Sequence, residues 1–314
     1  MGKTALLFPG QGSQTVGMGR DVREASRRAA TVFATADEVL GFSLSDLCFD
    51  GPAQELERTD IQQPAIFVTS VAIWEAMLEN GVPDSLLGGA AGLSLGEYTA
   101  LHIAGAVGFE DALKLVAQRG RLMQEAALAS PSGMASVVGA DEETVLALCD
   151  KAAQGEVLVP ANYNCPGQIA ISGARTACQR AVELASEFGC RALPLKVAGA
   201  FHSPFMASAG EQLAGPLANT PLTRPVVPVV ANVSASYHGA AEEIRDALQR
   251  QVTQPVLWTR SIERLIADGY DRFVEIGPGR VLTGLMRKIN RRVKAANLSK
   301  LADIEAESAA AAAK

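Results

Sequence analysis

A serine set between two glycines, in Ala91-Gly92-Leu93-Ser94-Leu95-Gly96-Glu97-Tyr98, is the residue whose setting most directly suggests chemistry. An apolar strand candidate over 86–91 runs into it and a helical pattern begins near Leu95, which is the strand-to-helix elbow that projects a serine Oγ into a cleft. Two readings stand: a nucleophile, or a small residue in a turn shaped for packing. A serine hydroxyl is unreactive alone, so the first reading requires a base and donors for a developing oxyanion.

The chain has three histidines, which makes the search for a base short. His102 follows Ser94 by eight residues on the same helical pattern, about 12 Å along it by helical rise, and reads as structural. His238, in the polar loop Ser-Ala-Ser-Tyr-His-Gly-Ala, has no recognisable partner and reads as surface-exposed. His202, in Val-Ala-Gly-Ala-Phe-His-Ser-Pro-Phe-Met, is the best of the three, with a buried core histidine as its competing reading. No acid stands out to orient it: of the aspartates between Ser94 and His202, Asp111 and Asp141 sit at helix starts, where capping explains them. With no His-Gly-Gly-Gly-type oxyanion loop either, an ordinary esterase picture fits poorly.

The elements that must position these residues follow from periodicity and turn chemistry. A short buried strand over 3–9 ends in Pro-Gly-Gln-Gly-Ser-Gln-Thr-Val-Gly-Met-Gly. This glycine loop is not a phosphate cradle: Gly10 and Gly12 begin a Gly-x-Gly-x-x-Gly pattern, but Thr15 replaces its last glycine and no Gly-Lys-Ser/Thr follows. Helical patterns occupy about 20–40 and 62–80. Over 132–197 the order becomes strand, helix, strand, strand, helix, strand, that of a ferredoxin-like unit, with Asp141 as a helix N-cap. Strands at Pro-Val-Val-Pro-Val-Val-Ala-Asn-Val and Arg-Phe-Val-Glu-Ile-Gly-Pro-Gly then resume the α/β pattern, with a helix over 261–267 between them. The expected fold is α/β: a large, discontinuous, α/β-hydrolase-like domain with a parallel sheet over 1–130 and 198–300, a ferredoxin-like subdomain over 131–197, and a frayed, Ala-rich tail over 301–314.

Composition bounds the function. With 48% hydrophobic and 20% charged residues, the chain has the make-up of a globular enzyme, not a disordered one. No apolar run reaches the ~18–20 residues of a membrane span. Five scattered cysteines without a Cys-x-x-Cys pair argue for free thiols in a cytoplasmic protein, and against disulfides or a zinc site. A formal charge of −6 disfavours nucleic acid. Arg287, Lys288, Arg291, Arg292 and Lys294 nevertheless crowd one run, either a solvated helix end favoured by its dipole or a docking patch for an acidic partner.

The chain resembles the malonyl-CoA:acyl carrier protein transacylases, acyltransferases of fatty acid and polyketide synthesis. The resemblance rests on Phe-Pro-Gly-Gln-Gly-Ser-Gln-Thr-Val-Gly-Met-Gly near the start, Gly-Leu-Ser-Leu-Gly-Glu-Tyr at the elbow, Gln-Arg-Gly-Arg-Leu-Met-Gln-Glu-Ala, Asn-Tyr-Asn-Cys-Pro-Gly-Gln-Ile-Ala-Ile-Ser-Gly, Gly-Ala-Phe-His-Ser-Pro-Phe-Met and Glu-Ile-Gly-Pro-Gly-Arg-Val-Leu-Thr-Gly-Leu, in that order to about Lys300. It implies Ser94 as nucleophile, His202 as base, and the backbone N–H groups of Gln11 and Leu95 as oxyanion hole. The imidazole would be oriented by a backbone carbonyl, that of Gln254, in place of an acid. Arg119 would clamp a substrate carboxylate through paired hydrogen bonds, where the residues alone read as a solvated helix arginine, and Arg121 would be its control. Gln63, Met123, Asn162 and Phe201 would line the pocket. Leu93 departs from the histidine that many members carry before the nucleophile. The implied partners are malonyl-CoA and acyl carrier protein, the latter docking through Arg287, Lys288, Arg291 and Arg292, with no metal or bound cofactor and a monomeric state. The rivals are a serine thioesterase or esterase on the same residues, and a catalytically silent carrier-binding module.

Overall fold

The computed structural model describes residues 2–312. Among them, β1 (Lys3–Phe8), β2 (Gly89–Gly92), β7 (Val229–Val230), β8 (Tyr270–Ile276) and β9 (Lys294–Leu298) form one sheet in the order β7-β2-β1-β8-β9, with every pairing parallel. A central parallel strand is covered on both faces, so β1 reads as an unbroken apolar run, and Ala5 to Phe8 are fully buried. A second sheet, wholly antiparallel, orders β3 (Ser132–Val138), β4 (Leu158–Cys165), β5 (Gln168–Ala174) and β6 (Arg191–Pro194) as β4-β5-β3-β6. Its helices Glu142–Ala153 and Arg175–Leu184 give the order and pairing of the expected ferredoxin-like unit, and Asp141 caps the first by accepting from the Thr144 N–H at 2.9 Å. This sheet has its own core around Val137, Leu148, Ile171 and Ala181, separate from the larger one.

The larger core is built on the helix Thr59–Glu79, apolar on nearly all sides, which packs beside the amphipathic helix Phe109–Ala129. Their close approach depends on Gly120, where a Cβ would lie 2.9 Å from the Thr59 carbonyl oxygen.

Several boundaries differ from the sequence pattern. The helical stretch over 20–40 is two helices, Arg20–Ala25 and Arg27–Leu40, because Ser26 turns extended and caps the second through the Ala29 N–H at 3.0 Å. The strand expected over 86–91 begins only at Gly89, since Asp84–Leu86 forms a tight helical turn. In Pro-Val-Val-Pro-Val-Val-Ala-Asn-Val only Val229–Val230 pair, and the helix expected over 261–267 starts at Trp258. The tail is not frayed over its described part. Leu301–Ala312 is a helix with Ile304 fully buried, and Arg272 pairs with Glu307 at 2.6 Å. Residues 313 and 314 of that expectation lie outside the described residues.

Candidate active site

At the C-terminal end of β2 the chain turns sharply into the helix Gly96–Ile103. Both glycines of the turn are required by crowding: a Cβ on Gly92 would lie 1.8 Å from the Gly96 carbonyl carbon, and one on Gly96 would lie 2.0 Å from the Phe8 carbonyl oxygen. Ser94 itself is left-handed, with φ 53°, a conformation that costs a non-glycine residue about 1–2 kcal/mol unless its surroundings hold it. They do: its N–H donates to Asn232 Oδ1 at 2.7 Å and its carbonyl accepts from Gln251 Nε2 at 2.9 Å.

His202 comes to Ser94 from 108 residues away, its Nε2 lying 2.8 Å from the serine Oγ. It too is left-handed, with φ 57°, and nearly fully buried. Its Nδ1 lies 2.7 Å from a backbone carbonyl, which can only accept, so Nδ1 carries the proton and Nε2 presents its lone pair to the serine. The orienting group is thus a carbonyl, but it belongs to Gln251 and not to Gln254, which stands one helical turn later and exerts a smaller pull on the same ring. Burial, followed by the charge of Arg119, brings the imidazole pKa down to about 4 against the opposing pull of these carbonyls. The ring is therefore a neutral base at pH 7.

Arg119 reaches the same point from the helix Phe109–Ala129, and it is 1% exposed. Its guanidinium donates to Gln63 Oε1 at 2.5 Å, Gln251 Oε1 at 2.9 Å and Ser94 Oγ at 3.0 Å, and lies 5.3 Å above the Tyr98 ring. Its Nε has no partner, and among the described residues it forms no ion pair. Burial pulls its pKa below the usual arginine value, against the opposing charges of Tyr98 and Glu97. A cation taken out of water and hydrogen-bonded only to two neutral amides and a hydroxyl is a site for an anion, and its planar fork suits a carboxylate. Arg121, two residues on, is exposed and pairs with Glu125 at 2.8 Å, so it faces away.

A cleft of about 460 Å³ opens over Ser94 and His202, with Gln11, Leu93, Met123, Asn162 and Phe201 in its walls. Gln63 does not line it; it lies behind Arg119 and also donates to Met123 Sδ at 3.5 Å. The N–H groups of Gln11 and Leu95 donate to no acceptor among the described residues, which leaves both open to an oxyanion.

The other histidines divide. His102 is structural as expected, its Nδ1 3.0 Å from the Val107 carbonyl and its ring beside Phe67 and Phe109. His238 is not a surface residue: it is 7% exposed, with Nε2 2.7 Å from Glu97 Oε1. Its polar loop folds back onto the sheet, where the His238 N–H donates to the Val229 carbonyl at 2.8 Å. Sequence reasoning missed Gln251, Asn232 and Glu97, all fully buried beneath the elbow. Only the Glu97 of Gly-Leu-Ser-Leu-Gly-Glu-Tyr lay in a motif that could have flagged it.

The basic run decorates the end of the helix Val281–Ile289, whose Val281 and Leu285 stand at the cleft. Arg287, Lys288, Arg291, Arg292 and Lys294 are all exposed, and Lys288 Nζ donates to Gln168 Oε1 at 3.0 Å beside the same opening.

Residues 5–305 match the acyl transferase domain family. The chain is 44% identical to the malonyl CoA-acyl carrier protein transacylase of Bacillus subtilis, over 97% of this chain and 96% of that protein. It is similar to a crystal structure of an acyl carrier protein S-malonyltransferase from Vibrio cholerae, with a TM-score of 0.93, 42% identity, and coverage of 97% of this chain and 99% of that one. It is also similar to a malonyl-transacylase solved in complex with its type II PKS acyl-carrier protein, with a TM-score of 0.94 and 40% identity over 98% of this chain and 99% of that one. The chain belongs to the acyl transferase domain family, and within it to the malonyl CoA-acyl carrier protein transacylases.

Proposed function

We propose that the chain transfers the malonyl group of malonyl-CoA to the phosphopantetheine thiol of acyl carrier protein through a malonyl-Ser94 intermediate, supplying fatty acid biosynthesis. The observation that carries this reading is a buried guanidinium that forms no ion pair among the described residues, 3.0 Å from the Oγ of a serine that also bonds a neutral imidazole at 2.8 Å. In the first half-reaction His202 Nε2 takes the Ser94 proton as Oγ attacks the thioester carbonyl. The Gln11 and Leu95 N–H groups receive the oxyanion, each worth about 3 kcal/mol in comparable chemistry. The carbon–sulfur bond then breaks and His202 returns the proton to the leaving CoA sulfur. In the second half the carrier thiol gives its proton to His202, its sulfur attacks the malonyl ester, and Ser94 Oγ leaves with that proton. Arg119 pairs with the malonyl carboxylate throughout, with Met123, Asn162 and Phe201 as walls of the acyl pocket and Gln63 as a brace for the guanidinium.

Acyl carrier protein would dock on the exposed basic run at the cleft, through Arg287, Lys288, Arg291 and Arg292. The division at 131 and 197 into a catalytic domain and a ferredoxin-like subdomain, a monomeric state and a cytoplasmic location belong to the same proposal. Five free, buried cysteines support the last. Mixing the enzyme with malonyl-CoA in the presence and absence of holo acyl carrier protein tests the reaction: malonyl-carrier is the expected product. Free malonate released without carrier at the rate of transfer would make the chain a thioesterase.

A further inference from the structure

Among the described residues, Gln251 alone hydrogen-bonds the base, the guanidinium and the elbow together. Its backbone carbonyl accepts from His202 Nδ1 at 2.7 Å, its side-chain oxygen accepts from Arg119 at 2.9 Å, and its side-chain nitrogen donates to the Ser94 carbonyl at 2.9 Å. The two side-chain contacts require the amide in one orientation. The guanidinium only donates and the Ser94 carbonyl only accepts, so a reversed amide would set its NH2 against the arginine. The shortest bond holding that orientation runs from Gln251 Nε2 to Glu97 Oε2, at 2.6 Å.

Glu97 is fully buried in the first turn of the helix that follows the nucleophile, its N–H donating to the Ser94 carbonyl at 3.1 Å, and both its carboxylate oxygens are engaged. Oε2 also accepts from the Asn232 N–H at 3.1 Å, while Oε1 faces His238 Nε2 at 2.7 Å. The Asn232 side chain in turn receives the Ser94 N–H at 2.7 Å and donates to the Gly92 carbonyl at 2.7 Å. Neither Glu97 nor His238 reaches the cleft, and neither takes part in the proton transfers above. A buried carboxylate is costly unless each lone pair finds a donor, so its presence here calls for a reason.

We propose that Glu97, held by His238, is a positioning residue: it fixes the side-chain amide of Gln251 and thereby the aim of Arg119 at an acyl carboxylate. The inference rests on the malonyl-transfer reading and extends it to what sets acyl selectivity. Removing the acceptor at Oε2 takes away the shortest of the Gln251 NH2 bonds and leaves only the Ser94 carbonyl at 2.9 Å and a long contact to Asn232 Oδ1 at 3.4 Å, and the amide swings away from the guanidinium. Malonyl transfer then loses a charge-assisted contact that acetyl transfer never used. A glutamine at 97 retains an acceptor for Gln251 and Asn232, with its own NH2 turned to a His238 whose ring has changed tautomer.

The test compares single-turnover acylation of Ser94 by malonyl-CoA and acetyl-CoA in the full chain, with competent serines counted by intact mass. In Glu97→Ala the malonyl-to-acetyl ratio falls by about tenfold or more, the worth of one hydrogen bond to a charged group. In Glu97→Gln it returns to the wild-type value. A purely structural role would lower the count of competent serines and leave the ratio unmoved. Should Glu97→Ala not accumulate as folded protein, His238→Ala reads the same arrangement, lowering the ratio by freeing Oε1, and His238→Gln restores it by returning an N–H donor. A wild-type ratio in the alanine variant, or an alanine-like ratio in its glutamine counterpart, overturns the proposal. Wild-type enzyme that takes up no malonyl group would instead overturn the transfer reading beneath it.

Discussion

Replacing Arg119 by alanine separates malonyl from acetyl transfer, and the structure sets the scale. With malonyl bound, the substrate carboxylate faces a guanidinium that is 1% exposed, and stripping one partner from such a buried pair costs about 3–5 kcal/mol. An acetyl group has no carboxylate to strand. Its transfer loses only the 3.0 Å hydrogen bond from Arg119 to Ser94 Oγ, worth about 1 kcal/mol. The difference of about 2–4 kcal/mol corresponds to a roughly 30- to 1000-fold fall in the malonyl-to-acetyl ratio of acylation rates. Arg119→Lys keeps the charge without the fork and should fall between. Arg121→Ala, which removes an exposed side chain paired with Glu125, should change neither rate. Rates of Ser94 acylation read by rapid-quench intact mass give the ratio directly. An equal loss for the two acyl groups in Arg119→Ala would refute the clamp.

Because burial and the Arg119 charge bring the His202 pKa to about 4, Ser94 acylation should stay level from pH 8 to about 5 and fall as the imidazole protonates near pH 4. Arg119→Ala should move that midpoint upward, and a midpoint near 6.5 in the wild type would show that the ring is not desolvated. The same shift bears on stability: the unfolded histidine binds its proton near pH 6.5 and the folded one near 4, so acidification through this window favours unfolding, by up to about 3 kcal/mol. Urea midpoints of His202→Gln should show a shallower decline over that window than the wild type. Gly92→Ala, whose Cβ would lie 1.8 Å from the Gly96 backbone, should be destabilised by roughly 3 kcal/mol or more; a wild-type urea midpoint would mean that the elbow can open. Reversing the charges of Arg287 and Lys288 should raise KM for acyl carrier protein and leave KM for malonyl-CoA unchanged, whereas unchanged carrier kinetics would return this run to a solvated helix end.

How far the site was legible depended on whether a function left its mark in a side chain. Ser94 announced itself through glycines that backbone crowding requires, and His202 emerged because the chain offers few alternatives. Arg119 was indistinguishable from any helix arginine until family motifs drew attention to it. Its burial depends on Gln63 and Gln251, which lie 56 and 132 residues away. The orienting carbonyl was placed at Gln254 instead of Gln251 because a backbone oxygen carries no residue signature, and within one helical turn the sequence offers two glutamines. His238 was misplaced because its partner, Glu97, is 141 residues distant, and a polar loop folded inward looks from the sequence like one folded outward. The same reasoning applies to the fold. Strand order in the antiparallel unit followed from a local strand-helix alternation, whereas the shortness of β7 reflects a single parallel pairing made at long range.

The central claim is that Ser94 carries the malonyl group, and intact-mass measurement of the enzyme after brief exposure to malonyl-CoA tests it most directly. The wild type should gain one malonyl group, Ser94→Ala none, and the wild-type adduct should disappear on addition of holo acyl carrier protein as malonyl-carrier forms in equal amount. An adduct that survives in Ser94→Ala, or one that the carrier cannot discharge, would contradict the account.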